Sequence, residues 1–454
     1  MITVKLLPGY NAEKPLKKAS HAALKCYQAE SPRWGKIIDV EGRVFKTGHH
    51  TTLEHTSFTF DIEGIAVGDI TFGMHLVNPF YNSDQRSGRF CAKMFLEPNF
   101  EEIEKYVHSF WPEIGKNKLR EILNYVKRGV GIYHQNIQKA TERVGKFILS
   151  ERPFAKEGYI RQNSPKIAQE QMRMFIPIIF PTGFDFTIDL IMLVSMYQSA
   201  WSPSTKYVLR QMVERVLRKF PELGFMFDSN LESQWKNKIP SEDSVKIKYK
   251  PRLKILDIFG AEDFVLPISK IMHPVDLLHF LPEMMDNSTG GIRTEIEIST
   301  ATMGQDQRHR TIGRSEPKFT GSFYLPPILK EMRLKKEALE LMKNWIIISK
   351  GIPETLAMIL APYGAMVTYK KRGSFNAIAH EQGKRLCWCA QEEIYHLGRL
   401  FRLAIGAKGR KYKKLLQIFE PPCYKTGKCA EGGRYCGRDV KIRKGGDYFP
   451  ERRI

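Results

Sequence analysis

The feature that most constrains this chain is the recurrence of one order of segments on either side of a polar, lysine-rich stretch, Ser233 to Pro251. Each side opens with a β-branched, basic segment, Ile2 to Leu7 and then Val245 to Ile258. Each continues into paired histidines, a strand-like alternation that runs into a polar arginine motif, and a long helical region. Pro240 lies within the polar stretch, as suits an inter-domain linker. The expected domains are therefore 1–239 and 240–454. The halves are too divergent for a short-period repeat, so duplication of a whole domain is expected rather than a solenoid.

Composition agrees with a large core. The chain has 454 residues, 42% hydrophobic and 11% aromatic, which favours two to three globular domains. The longest apolar run, Phe175 to Met196, is interrupted by Pro177, Pro181, Asp185 and Asp189, so a buried helix is expected there and not a membrane span. Met1 to Asn11 has no charged segment leading into an apolar run, so no secretory signal and a cytoplasmic location are expected. Seven cysteines then read as reduced thiols or metal ligands rather than a disulfide framework. The formal charge of +22 calls for an anionic partner: a nucleotide, a pyrophosphate-bearing cofactor, a folate or a nucleic acid.

Three motifs stand out. Gly48-His49-His50-Thr51-Thr52-Leu53-Glu54-His55 precedes the alternating strand Thr56 to Ile62; alone it reads as an ordinary cluster of surface histidines. Gln85-x-Ser87-Gly88-Arg89-Phe90 combines a hydroxyl, a glycine and an arginine, a compact cradle for phosphate; alone it reads as a turn. Gln305-x-x-Arg308-His309-Arg310 places two forked donors around a histidine, suited to phosphate or to the carbonyl edge of a pyrimidine; alone it reads as a charged loop.

Together these segments resemble the flavin-dependent thymidylate synthases (the ThyX-like family). The histidine stretch is similar to that family's opening signature. The family's hallmark begins Arg-His-Arg and ends Ser-x-Arg-Tyr, and this chain divides it. The first half reads Met74-His75-Leu76 but keeps Ser87-Gly88-Arg89-Phe90. The second half keeps Arg308-His309-Arg310, but its ending is Arg314-Ser315-Glu316-Pro317. Downstream, Arg173 stands before Met174 to Pro177 where the matching segment of the second half has Met358. Arg385, six residues before Gln391 in Ala390-Gln391-Glu392-Glu393-Ile394, has no counterpart around Ser199 to Leu209. The resemblance implies an α+β fold of two ThyX-like domains, each a twisted, mostly antiparallel sheet flanked by helices, forming an intrachain pseudo-dimer.

In the family the nucleotide lies between subunits of a homotetramer. The complementary losses here imply one composite site, with Gln85, Ser87, Gly88, Arg89 and Arg173 from the first half and Gln305, Arg308 and Arg385 from the second. The implied reaction methylates dUMP to dTMP, with methylenetetrahydrofolate as carbon donor, FAD as carrier and reductant, and NADPH recharging it. Arg385 and Arg308 carry the expected catalytic role. His49, Thr51, Glu54, Arg308, His309 and Arg310 are the expected flavin contacts, with the stretch His273 to His279 as the other candidate. Two chains would rebuild the family's tetramer as a homodimer, with no membrane partner.

Other readings stay open: hydroxymethylation of another pyrimidine nucleotide, action on a polynucleotide, or a non-catalytic nucleic-acid-binding relic. Cys389, Cys423, Cys429 and Cys436 are candidates for a structural zinc, although their spacing is not a standard CxxC pair.

Overall fold

Phe58, Phe60 and Ile62 lie two residues apart and are all fully buried, the period expected of a strand with one face on the core. They belong to β2 (Ser57–Ala66), which with β1 (Thr3–Leu6), β3 (Tyr81–Gln85) and β4 (Pro181–Asp189) forms an antiparallel sheet in the order β1-β2-β4-β3. A computed structural model gives this architecture for residues 1–8, 14–75, 81–88, 91, 93–227, 235–266, 278, 280–429, 431–432, 435–439 and 449–454.

The second half builds a sheet from β5 (Lys246–Lys248), β6 (Arg252–Phe259), β7 (Gly291–Ser299), β8 (Gly313–Arg314), β9 (Lys318–Tyr324) and β10 (Ala365–Ser374). Its order is β6-β7-β10-β9-β5, with β8 also on β10. Only β5 runs parallel to its neighbour among these pairs. Without β5 and β8 the connectivity repeats that of the first sheet, the fourth strand inserting between the second and third. The chain is thus a mixed α+β protein.

The principal helices are α1 (Lys116–Glu151), α2 (Glu157–Met172), α3 (Leu190–Ser199), α4 (Pro203–Lys219), α5 (Thr300–Asp306), α6 (Lys335–Ser349), α7 (Phe375–Arg385) and α8 (Glu392–Ala407). The expected buried helix from Phe175 to Met196 is not present as such. Its residues form the end of a tight turn, an irregular segment, all of β4 and the start of α3. Pro177 and Pro181 deny a helix its backbone donors, and the Asp189 carboxylate accepts from Met192 N at 2.8 Å, which starts α3 only after the strand.

The halves meet through a reciprocal pair of backbone hydrogen bonds. Ile178 N donates to Ala361 O at 2.9 Å and Tyr363 N to Ile176 O at 2.8 Å, flanking a bridge between Pro177 and Pro362. Helix α1 packs on this seam. Tyr125 Oη donates to Leu360 O at 3.0 Å, and Gly129 must be glycine because a Cβ there would lie 2.4 Å from Phe175 O. One hydrophobic cluster runs through both halves, from Phe60 through Phe175 and Phe323 to Trp345. The described part of the expected linker is anchored: Asn237 Nδ2 donates to Pro317 O at 2.8 Å, and Trp235 packs on Phe72 and Trp201. No helix among the described residues is long and apolar enough to cross a membrane.

Candidate functional site at the seam of the two halves

Helix α2 ends in a single tight turn, Arg173–Phe175, that turns the Arg173 side chain into the seam, where it is 5% exposed. Its Nη2 donates to Gln391 Oε1 at 3.1 Å, and its guanidinium stacks over the Tyr363 ring, 5.0 Å from the centroid. Gln305 Nε2, at the end of α5, donates to the same Gln391 oxygen. Arg385 Nη2, at the end of α7, donates to Gln305 O. From the other side comes Gly88, where a Cβ would stand 3.2 Å from Arg173 Nη1; its carbonyl accepts from Gln169 Nε2 at 2.8 Å. Gly88 and Arg173 from the first half thus meet Gln305, Arg385, Gln391 and Tyr363 from the second.

Beside this group, the loop after α5 reaches across onto β3. Arg310 donates to Asn82 Oδ1 at 3.0 Å and to Ser83 O at 3.3 Å, and lies 4.8 Å over the Tyr81 ring. His75 stacks on Tyr81 and hydrogen-bonds Ser83 Oγ through Nε2 at 2.9 Å. Burial, with Arg308 and Arg310 adding, holds the His75 pKa down at about 3, so the ring is neutral. Arg308 is exposed, with Asp84, Arg310 and Tyr81 as its electrostatic neighbours. His309 is buried and held neutral, first by burial and then by Arg385, and its ring meets that of His380 edge to face at 5.4 Å.

The loop is held from within the second half. Arg314 Nε donates to Asp306 Oδ2 at 2.6 Å, while Nη1 donates to His309 O at 3.1 Å and Ile312 O at 2.8 Å. Asp306 is fully buried and also accepts from Lys371 Nζ and from Tyr369 Oη at 2.8 Å. Burial alone would raise the Asp306 pKa, but Arg314 and Lys371 outweigh it and keep the carboxylate ionised. Arg314 is therefore an internal strut under the Arg-His-Arg loop.

Several buried polar atoms around this seam have no protein partner among the described residues: Gln305 Oε1, His309 Nε2 and Arg310 Nε. Buried polar groups are ordinarily satisfied, so these suit a polar ligand such as a flavin or nucleotide at this place.

The remaining expected contacts are distributed less tightly. His49, Thr51 and Glu54 are exposed around a short 3-10 turn, His50–Thr52, at the β2 end where Ser57 pairs with Asp189. The described hydrogen bonds from Arg310 to the first half go to Asn82 and Ser83 instead. Gln85 closes β3, and half-buried Ser87 accepts Cys91 N through its carbonyl at 2.9 Å. Arg89, Phe90, His273 and His279 lie outside the described residues.

On the other side of the seam lie several apolar side chains. Met74 and Met358 are buried. Phe72 is flanked by the rings of Trp201, Trp235 and Phe319.

The sequence reading left Gln391, Tyr363 and Gln169 out of the site and attached no role to Tyr81, Asn82 and Ser83. Only Gln391 had a signal, its place in the Ala390 to Ile394 segment beside Arg385; the others are evident only from packing across the seam. The candidate zinc ligands are Cys389, Cys423, Cys429 and Cys436. Among the described residues no group of three or more His, Cys, Asp and Glu side chains is arranged to hold a metal ion. The Cys389 thiol is turned toward the Cys387 and Cys436 sulfurs, and Cys429 Sγ accepts from Glu431 N at 3.4 Å.

The described residues form a mixed α+β protein in which polar side chains of both halves meet at the seam. Residues 10–223 match the family model described as thymidylate synthase complementing protein. A flavin-dependent thymidylate synthase of Clostridium tetani (strain Massachusetts / E88) is 23% identical over 233 residues, covering 49% of this chain and 84% of the relative. A solved ThyX from Helicobacter pylori, with FAD and dUMP, aligns with 50% of this chain and 98% of its own at 17% identity and a TM-score of 0.33. The chain accordingly resembles the ThyX-like, flavin-dependent thymidylate synthases over about half of its length.

Proposed function

We propose that this chain is a fused pair of ThyX-like domains, 1–239 and 240–454, that methylates dUMP to dTMP at one composite site on the seam. The observation that carries this reading is the hydrogen-bonded run from Arg173 of the first half through Gln391 and Gln305 to Arg385 of the second. The repeated strand order and the reciprocal bonds of Ile178 and Tyr363 support fusion around a near-dyad. The aromatic packing around Phe72 supports loss of the second site.

Carbon 5 of uracil is a poor nucleophile, and pushing electrons onto it loads negative charge on the ring carbonyls. Preorganised guanidinium donors in a water-poor pocket stabilise that charge. Arg385 is assigned this role, with Arg308 between nucleotide and flavin. Arg89, Arg173 and the Ser87 hydroxyl hold the phosphate, while Gln85, Gly88 and Gln305 line the nucleotide. Arg310, His309, His49, Thr51 and Glu54 are assigned to the flavin. FAD, when bound, supplies the redox and carrier chemistry, with methylenetetrahydrofolate and NADPH as co-substrates.

The test is the absorbance spectrum of the purified protein with and without dUMP, followed by flavin extraction. About one FAD per chain and a spectral shift on adding dUMP are expected from one working site. Two flavins per chain would remove the composite-site reading, and none after reconstitution would remove the enzyme reading. The +22 charge favours, as a second reading, a polynucleotide substrate at the same site; tritium release from 5-labelled dUMP, set against release from a uracil-containing strand, separates the two.

A further inference from the structure

The segment from Phe449 to Ile454 bonds to both halves. In the second half it runs along α8: Arg399 Nε donates to Phe449 O at 2.6 Å, Tyr395 Oη donates to Pro450 O at 2.8 Å, and Arg452 N donates to His396 Nε2 at 3.2 Å. In the first half it meets the ends of two helices. Arg453 Nε donates to Glu151 Oε1 at 2.7 Å, where α1 ends. Gln171 Nε2 donates to Arg453 O at 2.8 Å, two residues before Arg173. Gln171 is itself held, since its Oε1 accepts from Ile328 N at 3.0 Å.

Arg452, in the middle of this segment, is 2% exposed and lies 4.5 Å over the Tyr395 ring. Its Nη1 donates to Trp388 O at 2.9 Å and its Nη2 to Ala390 O at 2.6 Å. Those carbonyls belong to the irregular stretch 386–391 that joins α7 to α8. Irregular backbone leaves its carbonyls to be paired by side chains or water, and a planar guanidinium can serve two of them at once. The residue that follows Ala390 is Gln391, whose side-chain oxygen accepts from both Arg173 and Gln305.

We propose that Arg452 is a positioning residue for the nucleotide site: its segment ties the end of α2, which carries Arg173, to the stretch that carries Gln391, and so holds the two against each other. The inference rests on the reading of the seam as the place where dUMP binds. Arg452 acts through Gln391. An oxygen that serves two donors has to be held by its backbone, because a misplacement of about 1 Å weakens both bonds. The fork on Trp388 O and Ala390 O supplies that hold from one side, and the bond between Gln171 and Arg453 fixes the same segment to the helix that ends at Arg173.

A merely structural arginine would lower stability and leave nucleotide affinity unchanged in the chains that remain folded. A positioning arginine makes its effect depend on Gln391, so that the two substitutions fail to add. Loosening the segment at either of its anchors should also reach both stretches that it joins, by way of local opening.

The experiment uses the full chain and two readouts. The first is amide hydrogen exchange, followed by mass spectrometry without nucleotide. Arg452→Ala is expected to speed exchange about ten-fold or more in peptides covering 386–394 and 169–177, with β7 and β10 unchanged. Gln171→Met, which leaves Arg452 in place, should speed exchange in 386–394 as well, and it carries the test if Arg452→Ala does not fold. The second readout is the spectral titration with dUMP. Arg452→Ala should weaken binding about ten-fold in the wild-type background and less than about two-fold in a Gln391→Ala background. Faster exchange confined to 449–454, or the same loss of dUMP affinity in both backgrounds, would each overturn the proposal. Wild-type protein that binds no dUMP would remove the reading of the seam, and the exchange data would then decide by themselves whether the segment couples the two stretches.

Discussion

Arg173 combines deep burial with a side chain held between Gln391, the Tyr363 ring and Gly88. A cation in such a place contributes through charge-assisted bonds worth about 1.5–3 kcal/mol each. Arg173→Ala is expected to weaken dUMP binding about 10- to 100-fold in a spectral titration. Arg173→Lys should not restore it, because an ammonium cannot fork; full recovery with lysine would refute the assignment. Gln391→Ala should weaken nucleotide binding while leaving flavin content unchanged, since its oxygen serves Arg173 and Gln305.

Glu393 makes a separate prediction at this scale. It is fully buried and accepts from Ser299 N at 2.7 Å and Thr302 Oγ1 at 2.5 Å. Burial, only partly offset by these bonds, raises its pKa from 4.5 to about 7. The folded state therefore holds a proton that the unfolded chain has released between those values. Its contribution, on the order of 3 kcal/mol, is complete below pH 4.5 and lost as pH rises through about 7. Urea unfolding at pH 5 and pH 8 should show this loss in the wild type and little of it in Glu393→Gln.

At the scale of elements, the loop from Arg308 to Arg310 depends on Arg314, which ties His309 O and Ile312 O to Asp306. Arg314→Met strands a fully buried carboxylate with one cation fewer, a loss expected at about 3–5 kcal/mol. Denaturant midpoints would measure it, and a change below about 0.5 kcal/mol, ordinary for surface sites, would mean the strut has no structural role. This element also shows what the sequence carried. Gly88, Arg173 and Arg385, which meet at the seam, stand in short runs whose residue types drew attention in the sequence. The fate of Arg314 was not legible, since a polar turn and an internal strut can share one local sequence. The run from Phe175 to Met196 was misassigned for a related reason. A fully buried strand followed by a buried helix has no periodicity to separate it from one long helix, and the prolines were the only local sign of the break.

At the scale of the whole molecule, one hydrophobic cluster joins Phe60 and Phe175 to Phe323 and Trp345 across the seam, beside a second one, from Ile255 to Phe419, that lies within the second half. Denaturation followed by tryptophan fluorescence and by circular dichroism should therefore give coincident transitions. Two resolved transitions would indicate halves that fold separately. Residues 1–239 produced alone are expected to aggregate, because the side of α1 that meets Leu360 would be uncovered. The proposed homodimer is checked by sedimentation of the full chain.

The reciprocal bonds of Ile178 and Tyr363 carry one more consequence. When two copies of one gene product meet across a symmetry axis, every substitution is printed on both sides, and its cost is felt twice. A chain that encodes the two sides separately escapes that doubling. On the proposed fusion, one side can keep a guanidinium where the other accepts a methionine, as with Arg173 and Met358, and each corner of the seam is free to follow its own history.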